Sequence, residues 1–400
     1  MDSLYDPSRH EALADVAWDA DTIRAGIEAI VADTRAAASP EGLWPIHPDD
    51  GPPEWGSLVG LYFGAVGVIW GLDYLQRIGA ADEGPDLGEH LEAMEARNAP
   101  FTERFPAMVA GYLLGQSGVL LTRWRVRGER EVLDRLAALI AGTLDSPALE
   151  LMWGAPGGML IALTLHAETG EARWATLVRA GAEALAVSFA RDAETGAQSW
   201  TQDLYGAKAR YLGAVHGFAG NVFVLNQARA LLTAKAWGTW RGKLAESFAA
   251  NAVRAGPLAN WPSKLDPPAD GAAAPLLVQH CHGAPGMVTS LADLDAPIDD
   301  MLRAGGETTW RAGPLSKGSN LCHGTAGNGY AFLKLFQRTG DQVWLDRARA
   351  FAMHALAQSE TRAAALGRRR YSLWTGDLGL ACFLWDCLQA KARFPTLDVL

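Results

Sequence analysis

Cysteine is scarce in this chain, with four residues in 400: Cys281, Cys322, Cys382 and Cys387. That excludes a disulfide framework and points to a reducing cytoplasm. No apolar run is long enough, and free enough of charges and glycine turns, to cross a bilayer, so no membrane span is expected. The stretch Met1 to Asp6 lacks a basic segment followed by an apolar one, so no secretory signal is expected. Long basic runs are missing and the net charge is -10, which argues against a nucleic-acid phosphate binder while leaving room for a cationic peptide partner. Sustained polar/apolar alternation, the mark of half-buried strands, is sparse.

What the chain has in quantity is apolar residues, 49% of the total, together with 43 glycines and 15 tryptophans. A large core is therefore available. A Gly-x-x-Gly turn opening an apolar segment occurs seven times, starting at Gly64, Gly115, Gly154, Gly217, Gly283, Gly324 and Gly376. One such turn means little in a glycine-rich chain; seven spread over its whole length mark a repeat architecture. Glu168-Thr169-Gly170-Glu171 and Arg338-Thr339-Gly340-Asp341 stand at the same offset after the third and sixth turns. Gly there suits the left-handed end of one helix and the acid suits the start of the next.

The segments 10–37, 130–144, 173–189, 243–255 and 343–358 carry apolar residues at helical spacing with charges between them, while 159–165, 222–232 and 381–388 are more uniformly apolar. Each repeat thus reads as one half-wet helix and one buried helix. Seven pairs predict an all-α, double-layered (α/α) toroid of about fourteen helices, seven inner and seven outer, as one domain over residues 1–400. The glycines allow tight bends at one end of the inner helices and are expected to leave helix N-terminal N–H groups facing the mouth, where they favour anions. The Pro/Ala-rich piece 266–275 reads as a surface loop.

Chemistry gathers at three turns. Cys281 and Cys322 stand two residues before the glycine turns of two repeats, and His323 follows Cys322. If the repeats are neighbours, two thiolates and one imidazole can meet at one zinc ion with a fourth position open. The alternative is a pair of buried cysteines beside a helix-capping histidine, and the residues alone leave both standing. His216 and His282 hold the place of His323 in their own turns and are candidate acid/base groups; a capping or core role is the other reading. His280 flanks Cys281 in the same way. Lys317 and Arg370, the latter in the run Arg368-Arg369-Arg370, precede the sixth and seventh turns and suit a ligand carboxylate or phosphate. Trp153, Trp261 and Trp374 stand near turns and suit a substrate cleft or the core. Cys382 and Cys387 read as small core residues.

At Cys281-His282-Gly283, Cys322-His323-Gly324 and His216-Gly217 the sequence resembles the lanthionine synthetase C-like family, and the stretches 211–220 and 317–336 read like its stand-alone branch. The resemblance implies a double-layered α/α toroid with zinc at one end, held by Cys281, Cys322 and His323, with His216 as the acid/base histidine. It implies addition of a thiol to dehydroalanine or dehydrobutyrine, giving a thioether. The thiol is a peptide cysteine in the cyclases and glutathione in stand-alone eukaryotic relatives, so the implied partners are a peptide or protein containing dehydroamino acids and glutathione. In the cyclases the third turn is associated with an acidic residue; the run Leu151 to Gly157 has none, which favours the stand-alone branch. A binding-only zinc or glutathione sensor is the alternative function. A glycosidase on the same fold would need a carboxylate pair at the turns, where Asp377 stands alone.

Overall fold

The computed structural model describes residues 4–103, 108–191, 196, 198–266 and 276–400. Fourteen α-helices lie among the described residues, and they alternate in position as the repeat requires. The seven that follow the glycine turns are α2 (Ala65–Arg77), α4 (Gln116–Arg127), α6 (Ala155–Thr169), α8 (Phe218–Ala228), α10 (Ala284–Leu291), α12 (Thr325–Thr339) and α14 (Asp377–Gln389). They are buried on nearly all sides and form the inner ring, which α14 closes by packing on α2. The seven between them are α1 (Ala20–Ala36), α3 (Leu91–Glu103), α5 (Val132–Gly142), α7 (Ala172–Ser188), α9 (Ala234–Ala250), α11 (Asp299–Ala312) and α13 (Gln342–Leu366). Most of these bury one stripe, as α1 does with Ile23, Ile27 and Ile30, and turn the other face outward.

The Thr-Gly-acid signals act as read. Gly170 (φ 69°) and Gly340 (φ 68°) end α6 and α12 in the left-handed conformation, and the Asp341 carboxylate accepts from the Val343 N–H at the start of α13. Several boundaries differ from the sequence reading, and the helix expected over 343–358 runs on to Leu366. The expected helix 10–37 begins only at Ala20, capped by Asp19. The residues before it are drawn out along the turn ahead of α12, where Glu11 N–H donates to Pro314 O and Ser316 N–H to Arg9 O. The expected helix 243–255 ends at Ala250, and Val253–Ala255 pairs with Leu258–Asn260 as a short hairpin. The loop expected over 266–275 lies outside the described residues beyond its first position.

Neighbouring turns are stitched together by backbone hydrogen bonds. Tyr62 N–H donates to Leu113 O, Tyr112 to Met152 O, Leu151 to Val215 O, Cys281 to Cys322 O, Cys322 to Trp374 O and Trp374 to Tyr62 O. Within a turn, the first helical N–H groups close back on the residue seven before: Ala65 on Leu58, Phe218 on Tyr211, Thr325 on Gly318 and Asp377 on Arg370. This corrects the expectation of an anion-favouring mouth, because those N–H groups already have partners. It also explains the second glycine of each turn. A Cβ on Gly327 would lie 1.8 Å from Leu321 O, and one on Gly286 would lie 1.9 Å from His280 O, so the helix could not sit on its own turn.

Candidate metal centre

Cys281 lies in the tight turn of a small hairpin, between Val278–Gln279 and His282–Gly283, and Cys322 and His323 end the loop before α12. The three supply donor atoms that all lie within 4.8 Å of one another, with both sulfurs buried and the imidazole half-buried. The turn fixes His323 locally, since its N–H donates to Asn320 Oδ1 at 3.0 Å. Hydrogen bonds from the Cys281 thiol, and then from His323 and Tyr62, hold Cys322 well below the ordinary thiol range despite its burial. Cys281 is pushed up by its bond to Cys322 and by burial. Gln279 Nε2 donates to Cys281 Sγ at 3.0 Å, and Arg9 reaches Gln279 Oε1 from the N-terminal strap. All four cysteines are free; Cys382 and Cys387 are buried in the core, as expected.

His216 stands beside this cluster. Its Nδ1 is 2.8 Å from Glu150 Oε2. The Glu150 side chain is fully buried, and it also accepts from the N–H groups of Trp153 (2.6 Å) and Met152 (3.1 Å). Burial pulls the His216 imidazolium down, but the charge and hydrogen bond of Glu150 outweigh it, and Cys322 adds to them, so its pKa is raised above 6.5. With Nδ1 taken by Glu150, Nε2 is the atom left for a reacting group.

Glu150 corrects the reading that the third turn has no acid. The carboxylate stands one residue before the run Leu151 to Gly157. A lone acid in the apolar stretch Leu149 to Trp153 was the available signal. The backbone delivers it by a left-handed turn at Leu149 (φ 44°), whose carbonyl accepts from Asn221 Nδ2 at 2.9 Å. Tyr62 and Gln279, which touch the two sulfurs, carry no motif and were also missed.

The other expected site residues fall in different places. His282 adjoins His216, but its Nδ1 has no hydrogen-bond partner, and burial together with the charge of His216 pushes its pKa down to about 4, so it is neutral near pH 7. His280 is enclosed by the core, stacked 4.3 Å from Phe394, and burial likewise lowers it to about 4. Trp153 is buried beside Glu150. Trp261 stacks on Phe248, and Trp374 donates from Nε1 to Thr396, so both are core residues. Lys317 is exposed ahead of the sixth turn. Arg370 is bound to Asp50, Arg369 to Glu360 and Ser359, and Arg368 to Ile46 O, so the arginine run is docked rather than solvated. Asp377 is buried, accepting from Ser359 and the Arg370 N–H, and ties the seventh turn to α13.

Seven inner helices within seven outer ones, with a Cys/Cys/His cluster and a Glu–His pair at the turn end, define an α/α toroid with a candidate metal centre at its mouth. The chain belongs to the lanthionine synthetase C-like protein family, whose model matches residues 56–399. It is 34% identical over 204 residues to Glutathione S-transferase LANCL1 of Danio rerio, covering 47% of this chain and 46% of that protein. It is 30% identical over 206 residues to LanC-like protein GCL1 of Arabidopsis thaliana, covering 48% and 44%. The chain thus spans about half the length of the curated relatives it matches. Among solved structures, nisin cyclase shares the fold with a TM-score of 0.62 at 14% identity, covering 94% of this chain and 98% of that one. No helix among the described residues is long and apolar enough to cross a membrane.

Proposed function

We propose that this protein is a zinc-dependent enzyme that adds a thiol to dehydroalanine or dehydrobutyrine residues of a peptide or protein, forming a thioether. The observation that carries the reading is the raised His216, paired with buried Glu150, beside three donors grouped for one ion. Two cysteine sulfurs and one imidazole are the donor set zinc takes, and they leave a fourth position for the substrate thiol. Cys281, Cys322 and His323 would hold the ion, which when bound lowers the pKa of a coordinated thiol.

The residues of the chain do the rest. As sulfur forms its bond to Cβ, the π pair of the Cα=Cβ bond moves onto Cα and the adjoining carbonyl as an enolate. His216, charged and oriented by Glu150, donates its proton to Cα and is recharged by the proton the thiol gives up, so nothing leaves and no redox partner is needed. His282 is neutral and serves as a wall or hydrogen-bond group beside His216. Glutathione is the favoured thiol, in keeping with the name of the Danio rerio relative, with exposed Lys317 available for one of its carboxylates. Free thiols suit a reducing compartment such as the cytoplasm.

The test is to incubate the protein with glutathione and a dehydroalanine peptide and to follow the adduct mass. Adduct must form faster than without protein. Equal rates on several peptides would leave only a zinc or glutathione binding role.

A further inference from the structure

Gln279 connects the candidate metal centre to the N-terminal strap. Its side chain is buried. Its Nε2 donates to Cys281 Sγ at 3.0 Å, and its Oε1 accepts from Arg9 Nη2 at 3.2 Å. A carboxamide can present either its oxygen or its NH2 to a neighbour, whereas a guanidinium has donors only. With Arg9 on the oxygen, the NH2 must face the sulfur. The flipped amide would set NH2 against guanidinium and oxygen against sulfur, exchanging two hydrogen bonds for two repulsive contacts that burial would sharpen. Arg9 therefore decides which end of Gln279 the sulfur meets.

Arg9 is held in place by its backbone and by its neighbours. Its carbonyl accepts from Ser316 N–H at 3.1 Å and from Ser316 Oγ at 2.9 Å. His10 bridges to Leu315, and Glu11 N–H donates to Pro314 O at 3.0 Å. Glu11 Oε1 lies 2.7 Å from His354 Nε2, and Ala14 N–H donates to His354 Nδ1 at 3.1 Å. The strap thus keeps its place without the Arg9 guanidinium, and removing that group alone separates the contact from the strap. A donor on a ligand atom from outside the ligand set orients the ligand and tunes the metal, and a charged acceptor gains more from it than a neutral one. We propose that Gln279, oriented by Arg9, is a positioning residue of the metal centre, its Nε2–H aiming the Cys281 sulfur at the ion and stabilising its charge. The N-terminal strap is then part of the centre. This inference rests on the zinc centre of the proposed function but not on the thiol addition, and it is tested by metal binding without turnover.

The Kd for zinc is measured by competition with a chromophoric chelator for the full-length wild type, Gln279→Met, Gln279→Glu, Arg9→Met and the double variant Arg9→Met with Gln279→Met. Gln279→Met should bind zinc about 10–100-fold more weakly, the usual cost of losing such a partner. Gln279→Glu keeps the size and the acceptor for Arg9 but offers the sulfur no donor, so it should lose at least as much. Wild-type affinity in Gln279→Glu would show that Gln279 only anchors the strap, and would overturn the assignment. Arg9→Met should weaken binding by less, and should change nothing further once Gln279 is Met, because it acts only through the amide. Cobalt(II) loaded into the same site supplies a spectroscopic readout. Its sulfur-to-metal charge-transfer band should move to lower energy in the Gln279 variants and in Arg9→Met, since the sulfur lone pair loses its donor. Arg9 is only half-buried, so the band of Arg9→Met decides the matter if a Gln279 variant fails to fold. An unmoved band, additive losses in the double variant, or a wild type that binds no zinc would overturn the assignment. Zinc binding that depends on Gln279, without any adduct in the glutathione assay, would uphold it and remove only the enzymatic reading.

Discussion

The N–H of Cys281 donates to the carbonyl of Cys322 at 3.0 Å. This one backbone bond joins the fifth turn to the sixth and sets the two sulfurs of the candidate metal centre side by side. Cys322 continues the stitching through its own N–H to Trp374 O, and Trp374 to Tyr62, whose side chain returns to the Cys322 sulfur. The centre is thus held by the ring of turns rather than by any single loop, and its ligands are presented already grouped.

That dependence makes the turn glycines indirect determinants of the site. Gly327→Ala would set a Cβ 1.8 Å from Leu321 O, one residue before Cys322. Overpacking of this kind costs about 1–3 kcal/mol. Urea unfolding should show a loss of that size, together with weaker metal retention. A variant as stable as the wild type would mean the turn can open without cost.

Glu150→Gln should remove the partner that keeps His216 charged, leaving burial to lower its pKa. Turnover at neutral pH is expected to fall by about 10²-fold or more, the range of general acid catalysis, with metal content unchanged. The alkaline limb of the rate profile should move to lower pH. A profile unchanged in shape would show that Glu150 does not set the state of His216.

The same pair has a stability signature. The folded pKa of His216 is raised above its ordinary value of 6.5. Its contribution to stability is therefore full below about 6.5 and is lost as pH rises through the folded value. The stability gap between wild type and Glu150→Gln should be larger at pH 6 than at pH 9. A gap that does not change with pH would contradict the ion pair.

The far end of the barrel offers a control. Lys334 lies on α12 about 14 Å along the helix from Thr325, from a rise of about 1.5 Å per residue. It is 2% exposed and contacts Asp293 (2.7 Å) and Asp398 (2.9 Å). Lys334→Ala leaves two carboxylates without their cation, a change that costs about 3–5 kcal/mol in buried pairs, or less here because Asp293 is partly exposed. Unfolding should register it while metal content per folded chain holds. Loss of metal from folded protein would show that the two ends are coupled.

The toroid was legible because its repeat is written in residues with one physical job. The seven glycine turns mark the starts of inner helices, and Gly170 and Gly340 mark their ends, since few residues but glycine fit those backbone positions. Cys281, Cys322 and His323 were legible as a group only because they occupy equivalent turn positions. What sequence did not disclose depends on partners distant in the chain. Glu150 meets His216 across 66 positions, Arg370 is bound to Asp50 across 320, and Tyr62 reaches Cys322 from the opposite end of the chain. The strap before Ala20 was misread as helix because its pattern is amphipathic, whereas hydrogen bonds to the turn before α12 hold it extended.

The most direct test is the metal content of purified wild type and Cys322→Ala, measured by mass spectrometry on protein shown to be helical by circular dichroism. The account predicts about one zinc per chain in the wild type, as three ligands at a single open site require, and none in Cys322→Ala. A wild type without zinc, or a folded Cys322→Ala that keeps it, would contradict the account.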